Sequence, residues 1–222
     1  MTVRLLAALA LAAALAACDT ADVVDPPPVR ADARYTVTLG ATWSAETHPE
    51  AFPSNPHFSR LTGAAHAPGL HLWRAGAPAS DGVRAMAETG ATAALRAEVE
   101  ALADRAAYAE GGPIRQSPGT AVLELVVTEA RPLATVVTML APSPDWFVGV
   151  DGLDLREPAR AGGDGWADRV VVDLRVWDAG TDGGAGYTAA DAATVPRAPV
   201  APASYAPLAG SVVGTLTFER AE

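Results

Sequence analysis

Alternation of apolar and polar side chains, with a period of two, runs through most of this chain. Tyr35, Val37, Leu39, Ala41 and Trp43 alternate with Thr36, Thr38, Gly40 and Thr42. Ala121, Leu123, Leu125 and Val127 alternate with Val122, Glu124, Val126 and Thr128. Val170, Val172, Leu174 and Val176 alternate with Val171, Asp173, Arg175 and Trp177, and near the end Leu216 and Phe218 stand between Thr215, Thr217 and Glu219. Successive side chains of a strand point to opposite faces, so the pattern specifies strands with one face on a core and one toward water. Shorter apolar runs at 70–73 and 135–141 predict further strands. Glycine- and proline-rich loops between regularly spaced strands point to a sandwich, with a long Pro-rich loop over 196–207 before the last strand.

One stretch departs from this habit. Between residues 80 and 108 proline is missing and alanine abounds. Leu95, Val99, Leu102 and Ala106 fall at helical spacing, with Arg96, Glu98, Glu100 and Asp104 facing away. Thr92 is placed to cap that helix, and a shorter turn over 80–88 precedes it, ended near Gly90. The fold class is therefore mainly β, an antiparallel β-sandwich with one helical insertion over about residues 80–108.

The amino terminus reads as an address. Arg4 is the only charge before residue 19, and residues 5–17 are an unbroken run of Leu and Ala. A spanning helix needs about 20 apolar residues, so this run fits a cleavable signal instead. It ends in Leu15-Ala16-Ala17-Cys18, which resembles a bacterial lipobox. The expected organisation is a signal peptide over 1–17, a lipid-anchored Pro-rich tether over 18–34, and a folded domain over 35–222. Lipid on Cys18 would tie the domain to a membrane, because each buried methylene adds about 0.8 kcal/mol. Asp19 resembles an inner-membrane retention signal of some bacteria, and the expected location is the cell envelope, on either the outer-membrane surface or the periplasmic face of a membrane.

Composition removes several classes of chemistry. Cys18 is the only cysteine, so with it lipidated no thiol is left for a disulfide, a zinc–thiolate site or a nucleophile. All sixteen Lys+Arg residues are Arg, which removes Schiff-base and Ser–Lys mechanisms. The formal net charge of −10 argues against nucleic acid, which demands a basic footprint. Over 145–191 nine Asp and Glu157 face four Arg, so most of the imbalance sits there. That concentration is either a solvated acidic face or a cation site.

Three segments are more specific than generic loops: WSAETHP from Trp43, continuing to Phe52-Pro53 and His57-Phe58-Ser59; APSPDWFVGV from Ala141; and DAGTDGG from Asp178. In this order they resemble the spondin N-terminal domain, known from animal matrix proteins and from bacterial lipoproteins. Ala79-Ser80-Asp81-Gly82, Met86-Ala87-Glu88-Thr89-Gly90 and Trp166 also look like that family, and the resemblance runs from about Tyr35 to Glu222, weakest after Tyr187. It implies an antiparallel sandwich of about eight strands and a calcium ion at one end. The residues agree with such an ion. Calcium takes six to eight oxygens from carboxylates and carbonyls on flexible loops. Asp145 follows two prolines after a strand, Asp178 ends the strand over 170–177, and Asp182 lies four residues on across a Gly-containing turn. Asp178 and Asp182 would equally serve as plain turn formers. Asp173, in mid-strand, is a weaker candidate. Animal members carry disulfides and further domains that this sequence does not show, so their matrix-binding roles do not transfer with the resemblance.

An enzyme is the competing class. His48, His57, His66 and His71 match no compact zinc motif, and His48 and His57 read better as loop braces. No G-x-S-x-G elbow, P-loop or dinucleotide fingerprint occurs. The five tryptophans read as core and loop anchors rather than a sugar platform. The favoured reading is a non-catalytic, exported, lipid-anchored calcium module that binds an envelope or extracellular protein or a polysaccharide. The alternative is an envelope hydrolase whose site is not legible. Substituting Cys18→Ser should abolish lipidation and leave the domain folded, since residues beside the anchor lie outside the core. The variant should leave the detergent phase in a phase-partition assay; equal partitioning of variant and parent would refute the lipobox.

Overall fold

In the computed structural model the alternating segments become strands of two facing antiparallel sheets. The structure describes residues 31–157 and 165–221. The expected signal segment, Cys18 and the tether as far as residue 30 lie outside the described residues. One sheet has four strands in the order β4 (Gly119–Val127), β1 (Ala33–Ala41), β10 (Gly214–Arg220), β7 (Arg169–Leu174). The other has six, in the order β3 (Ala106–Ile114), β2 (His57–His66), β5 (Leu133–Ala141), β6 (Trp146–Asp154), β8 (Trp177–Asp178), β9 (Ala201–Pro202). Among the described residues no helix is long and apolar enough to cross a membrane.

The period-two residues do what the pattern requires. Tyr35, Val37 and Leu39 of β1, Leu123 and Leu125 of β4, and Leu216 and Phe218 of β10 are buried between the sheets, at no more than 1% exposure each. They meet Phe58, Val136, Leu140 and Val148 from the six-stranded sheet in one continuous core. Burying a large apolar side chain contributes about 1.5–3 kcal/mol, so this layer dominates the stability. The partners of the buried set, among them Thr36, Val122, Glu124 and Val171, remain half-exposed or exposed on the outer face of the four-stranded sheet.

The six-stranded sheet is covered on its outer face as well. Two helices, α1 (Asp81–Thr89) and α2 (Ala93–Glu100), pack Val83, Met86, Ala87 and Leu95 against Val137, Met139, Ala141 and Phe147. This accounts for β5: buried on both faces, its LATVVTMLA sequence carries no charge and shows no period-two alternation. The insertion is thus two helices and a 3-10 turn rather than a turn and one helix. Ser80 caps α1 by accepting the Val83 N–H at 3.1 Å, and Gly90 ends it at φ 70°. Thr92 stands at the first cap of α2, but its hydroxyl donates to Glu110 Oε2 at 2.7 Å instead of capping. Leu102 and Ala106 do not continue the helix; Ala106 opens β3.

Three further expectations change. Strand β1 begins two residues before Tyr35 and pairs from Ala33. The run at 70–73 is not a strand: it is a loop whose Trp73 packs edge-on against Phe147 and Trp177, with ring centroids 5.0 and 5.1 Å away. Its apolar character reflects that plug, not a pleat. The segment 170–177 is two strands in different sheets, β7 and β8, joined by a corner at Arg175 and Val176. With β8 and β9 only two residues long each, the described residues hold ten strands against about eight expected.

A polar clamp fixes α2 to the sheet. Glu110 accepts from Arg60 Nε at 2.6 Å, Thr92 Oγ1 at 2.7 Å and Tyr108 Oη at 2.7 Å. Burial pushes its carboxyl up, but these donors outweigh that and hold it at about 2.

The central strand also explains two glycines. A Cβ on Gly63 of β2 would stand 1.9 Å from the Thr135 carbonyl oxygen, and one on Gly149 of β6 would stand 2.2 Å from that of Val136. Both flank β5, so its neighbours approach closer than a side chain permits. Gly63→Ala should therefore destabilise by ~3 kcal/mol, at the upper end for overpacking. Gly112→Ala, with nothing within 4 Å, should change stability by less than ~0.5 kcal/mol. Denaturant midpoints of the two variants test the difference, and equal midpoints would contradict the close approach.

Candidate functional site at the β6–β8 end of the sandwich

The pairing of β6 with β8 builds this end of the molecule. Trp146 lies opposite Asp178 in register, and the Ala179 N–H donates to the Asp145 carbonyl at 3.2 Å. The turn before β6 is shaped by Ser143, whose hydroxyl donates to the Leu140 carbonyl at 2.6 Å and accepts the Trp146 N–H at 3.1 Å. It presents Asp145 inward, fully buried. After β8 the chain folds back through Gly180, at φ 71°, where a Cβ would meet the Ala198 carbonyl oxygen at 2.3 Å. The returning loop is pinned by the 192–198 segment, with Thr194 N–H donating to the Thr181 carbonyl at 2.9 Å and Ala198 N–H to that of Gly180 at 2.8 Å.

All three aspartates singled out in the sequence gather here, with different surroundings. Asp145 Oδ2 accepts the N–H groups of Thr181 at 2.7 Å and Asp182 at 3.0 Å, and the Thr181 hydroxyl at 3.2 Å. Its other oxygen, Oδ1, is buried without a hydrogen-bond partner among the described residues. Burial raises the Asp145 carboxyl to about 6, opposed by the Thr181 and Asp182 donors and reinforced by Asp178. Asp178 Oδ1 accepts the Gly180 N–H at 2.7 Å. Its carboxyl is raised chiefly by burial, opposed by the Gly180 and Trp146 donors and reinforced by Asp182. Asp182, 9% exposed, accepts from Gly184 N–H at 2.7 Å and Ala192 N–H at 3.1 Å. Asp178 and Asp182 therefore both act as turn acceptors. Among the described residues no three His, Cys, Asp or Glu side chains form a group that could hold a metal ion as placed. The weaker candidate Asp173 stands apart, exposed on β7.

Two contributors escaped the sequence reading. Thr181 supplies both an N–H and a hydroxyl to Asp145, and Trp146 donates to Asp178. Both lie inside the APSPDWFVGV and DAGTDGG segments, which is the signal that could have found them. Aromatic rings support the site from beneath: Trp146 stacks on Tyr205 at 4.9 Å and meets Tyr187 edge-on at 5.6 Å, and Tyr187 in turn meets Trp43 at 5.6 Å. His48 braces a neighbouring loop, bonding Thr47 Oγ1 at 2.8 Å and Ser211 Oγ at 3.1 Å, whereas His57 bonds the nearby Asn55 carbonyl at 2.9 Å. Beside Asp182 opens a cleft of about 450 Å³, bordered by Arg84 and Glu88 of α1 and by Asp191 and Arg197 of the long loop. No histidine lines it.

A model of the spondin N-terminal domain, Spondin_N, matches residues 33–207, which include Asp145, Asp178 and Asp182. Spondin-2 of Rattus norvegicus is 36% identical over 172 residues, 74% of this chain and 51% of that protein. Spondin-2 of Homo sapiens is 35% identical over 175 residues, 76% of this chain and 51% of that protein. Spondin-1 of Gallus gallus is 34% identical over 210 residues, 85% of this chain and 25% of that protein. The chain thus spans about half the length of the spondin-2 proteins and a quarter of spondin-1. With the two-sheet sandwich and a family match over most of its length, this chain belongs to the Spondin_N family.

Proposed function

We propose that the chain is a non-catalytic binding module of the cell envelope, tethered by lipid on Cys18 and stabilised by a calcium ion at the β6–β8 end. The observation that carries the cation reading is Asp145, a fully buried carboxylate with one oxygen unpartnered. Burying an unpaired charge costs several kcal/mol unless a counter-charge arrives. Asp178 and Asp182 stand beside it, Asp178 raising the Asp145 carboxyl and Asp182 raising that of Asp178. Three acids of one sign on two loops, all with oxygen donors, suit a hard cation such as calcium. Asp145 Oδ1 would be the primary ligand, with Asp178 and Asp182 closing the site after small shifts of their turns. The ion would neutralise the repulsion and lock the 179–184 loop against β6. The partner would be an envelope or extracellular protein or a polysaccharide, met by loops that the ion holds rigid.

Two outcomes test this. Calcium added to chelator-stripped protein should raise the melting temperature, by up to about 2.7 kcal/mol of stabilisation at 100 times the dissociation constant. Asp178→Asn and Asp182→Asn should lose most of that gain, and magnesium should substitute poorly because it demands a smaller octahedral shell. Identical melts in EGTA and calcium, with no heat of binding, would reduce these aspartates to turn formers.

The second outcome is a pH dependence. The Asp145 carboxyl stands at about 6 in the folded chain and at about 3.9 when unfolded. A raised carboxyl favours folding while protonated, so its contribution is full below about pH 4 and is lost as pH rises through 6. Without calcium the loss should be on the order of 2–3 kcal/mol, and Asp145→Asn should flatten that part of the profile. Parallel profiles for parent and variant would remove Asp145 as the origin of the cation requirement.

A further inference from the structure

Away from this site, the end of the six-stranded sheet holds a hydrogen-bonded chain that runs from a buried imidazole to an exposed one. His66, the last residue of β2, is fully buried, as is Thr135 of β5. His66 Nδ1 lies 3.1 Å from the Ala67 carbonyl oxygen, an acceptor only, so this nitrogen carries a proton. Its Nε2 lies 2.8 Å from Thr135 Oγ1. The Thr135 oxygen also accepts the Gly152 N–H at 2.9 Å and faces Asp151 Oδ1 of β6 at 3.3 Å. Asp151 Oδ2 meets His71 Nδ1 at 2.7 Å, and His71 is 41% exposed.

The hydroxyl of Thr135 has one proton and two acceptors that want it. With His66 neutral, Nε2 has only a lone pair, so the hydroxyl donates to His66; the longer 3.3 Å separation from Asp151 agrees with that polarity. Once Nε2 gains a proton it becomes a donor to Thr135, and the hydroxyl proton is free to turn to Asp151. Asp151 then accepts from both sides, from Thr135 and from His71. We propose that these four residues form a proton-coupled relay, in which reversal of the Thr135 hydroxyl transmits protonation of buried His66 to Asp151 and to surface His71.

The surroundings fit a group held neutral but able to respond. Burial lowers the His66 imidazole from its ordinary value, with the Ala67 carbonyl and Asp151 opposing and His71 reinforcing that effect. Among the described residues, Asp151 on β6 and His71 on the loop after β2 are the titratable groups that act on it. From the adjoining turn and β5 side, Arg105 and Asp104 reach this corner through their carbonyls, which take the Ala67 N–H and Arg131 Nη1. The relay ties the loop carrying Trp73 to the sheet, so acidification would change how Asp151 is shared between that loop and β5.

Histidine-selective NMR on the full chain, solubilised in detergent, tests this directly. At alkaline pH His66 should be the Nδ1–H tautomer, and on acidification the step that protonates its Nε2 should appear in the His71 resonances as well. Thr135→Ser keeps the hydroxyl and should keep the shared step. Thr135→Val preserves shape without the hydroxyl and should remove the step from His71 while His66 becomes harder to protonate. An Nε2–H tautomer in the parent, a His66 that stays neutral until the chain unfolds, or an unchanged His71 step in Thr135→Val would each overturn the relay. The parent spectra decide the matter even if the valine variant does not fold.

Discussion

Burial of β5 on both faces is the constraint on which the other parts of this molecule depend. One face lies on the core shared with the four-stranded sheet; the other lies under α1 and α2. A strand so placed has no solvent face for polar side chains, and Thr135 and Thr138 are buried only because each finds partners, His66 and Asp151 for the one, Ser59 for the other. The same crowding sets glycines on both flanking strands, where backbone approaches backbone too closely for a Cβ. Interiors packed at crystal density transmit such demands to their neighbours, so the helical layer, the glycines of β2 and β6 and the buried histidine belong to one packing solution.

The corner at Arg175 and Val176 has a comparable reach. By carrying the chain from the four-stranded sheet to the six-stranded one, it turns a single apolar run into two strands, and it delivers Asp178 opposite Trp146. Without that change of sheet, Asp178 and Asp182 would sit at the end of β7, away from Asp145. The long loop that follows is fixed to the returning 179–184 turn by three backbone hydrogen bonds, from Gly183, Thr194 and Ala198 N–H, the first two forming the Asp182–Ala193 bridge. The acidic end of the sandwich is thus a product of chain path as much as of composition.

Two carboxylates show how surroundings decide chemistry. Glu110 and Asp145 are both drawn in from water, and for both burial is the largest influence, pushing the carboxyl upward. Glu110 has Arg60, Thr92 and Tyr108 to donate to it and ends at about 2. Asp145 has donors on one oxygen only, with a second carboxylate nearby, and ends at about 6. The first is a completed clamp between helix and sheet, and the second keeps one buried oxygen without a partner among the described residues. Spondin_N membership gives the family of this chain; the contrast between the two acids distinguishes one end of the sandwich from the rest.

Local side-chain pattern by itself determined the half-buried strands. The alternations around Tyr35, Leu123, Val172 and Leu216 follow from pleat geometry alone, and the APSPDWFVGV and DAGTDGG segments carried the family resemblance with Asp145, Asp178 and Asp182 in it. Only the tertiary structure decided the rest. β2, β3 and β6 do not alternate, since β2 is buried on both faces over much of its length and β3 is half-buried nearly throughout. The 70–73 run is apolar for a plug rather than a strand, and 170–177 divides because its two halves find different neighbours. Which oxygen of which aspartate lacks a partner depends on N–H groups some 36 residues distant in the chain. Periodicity records whether a residue faces core or water; it holds no record of long-range partners, and those partners are what set the charge, the hydrogen-bond polarity and the chemistry of a buried group.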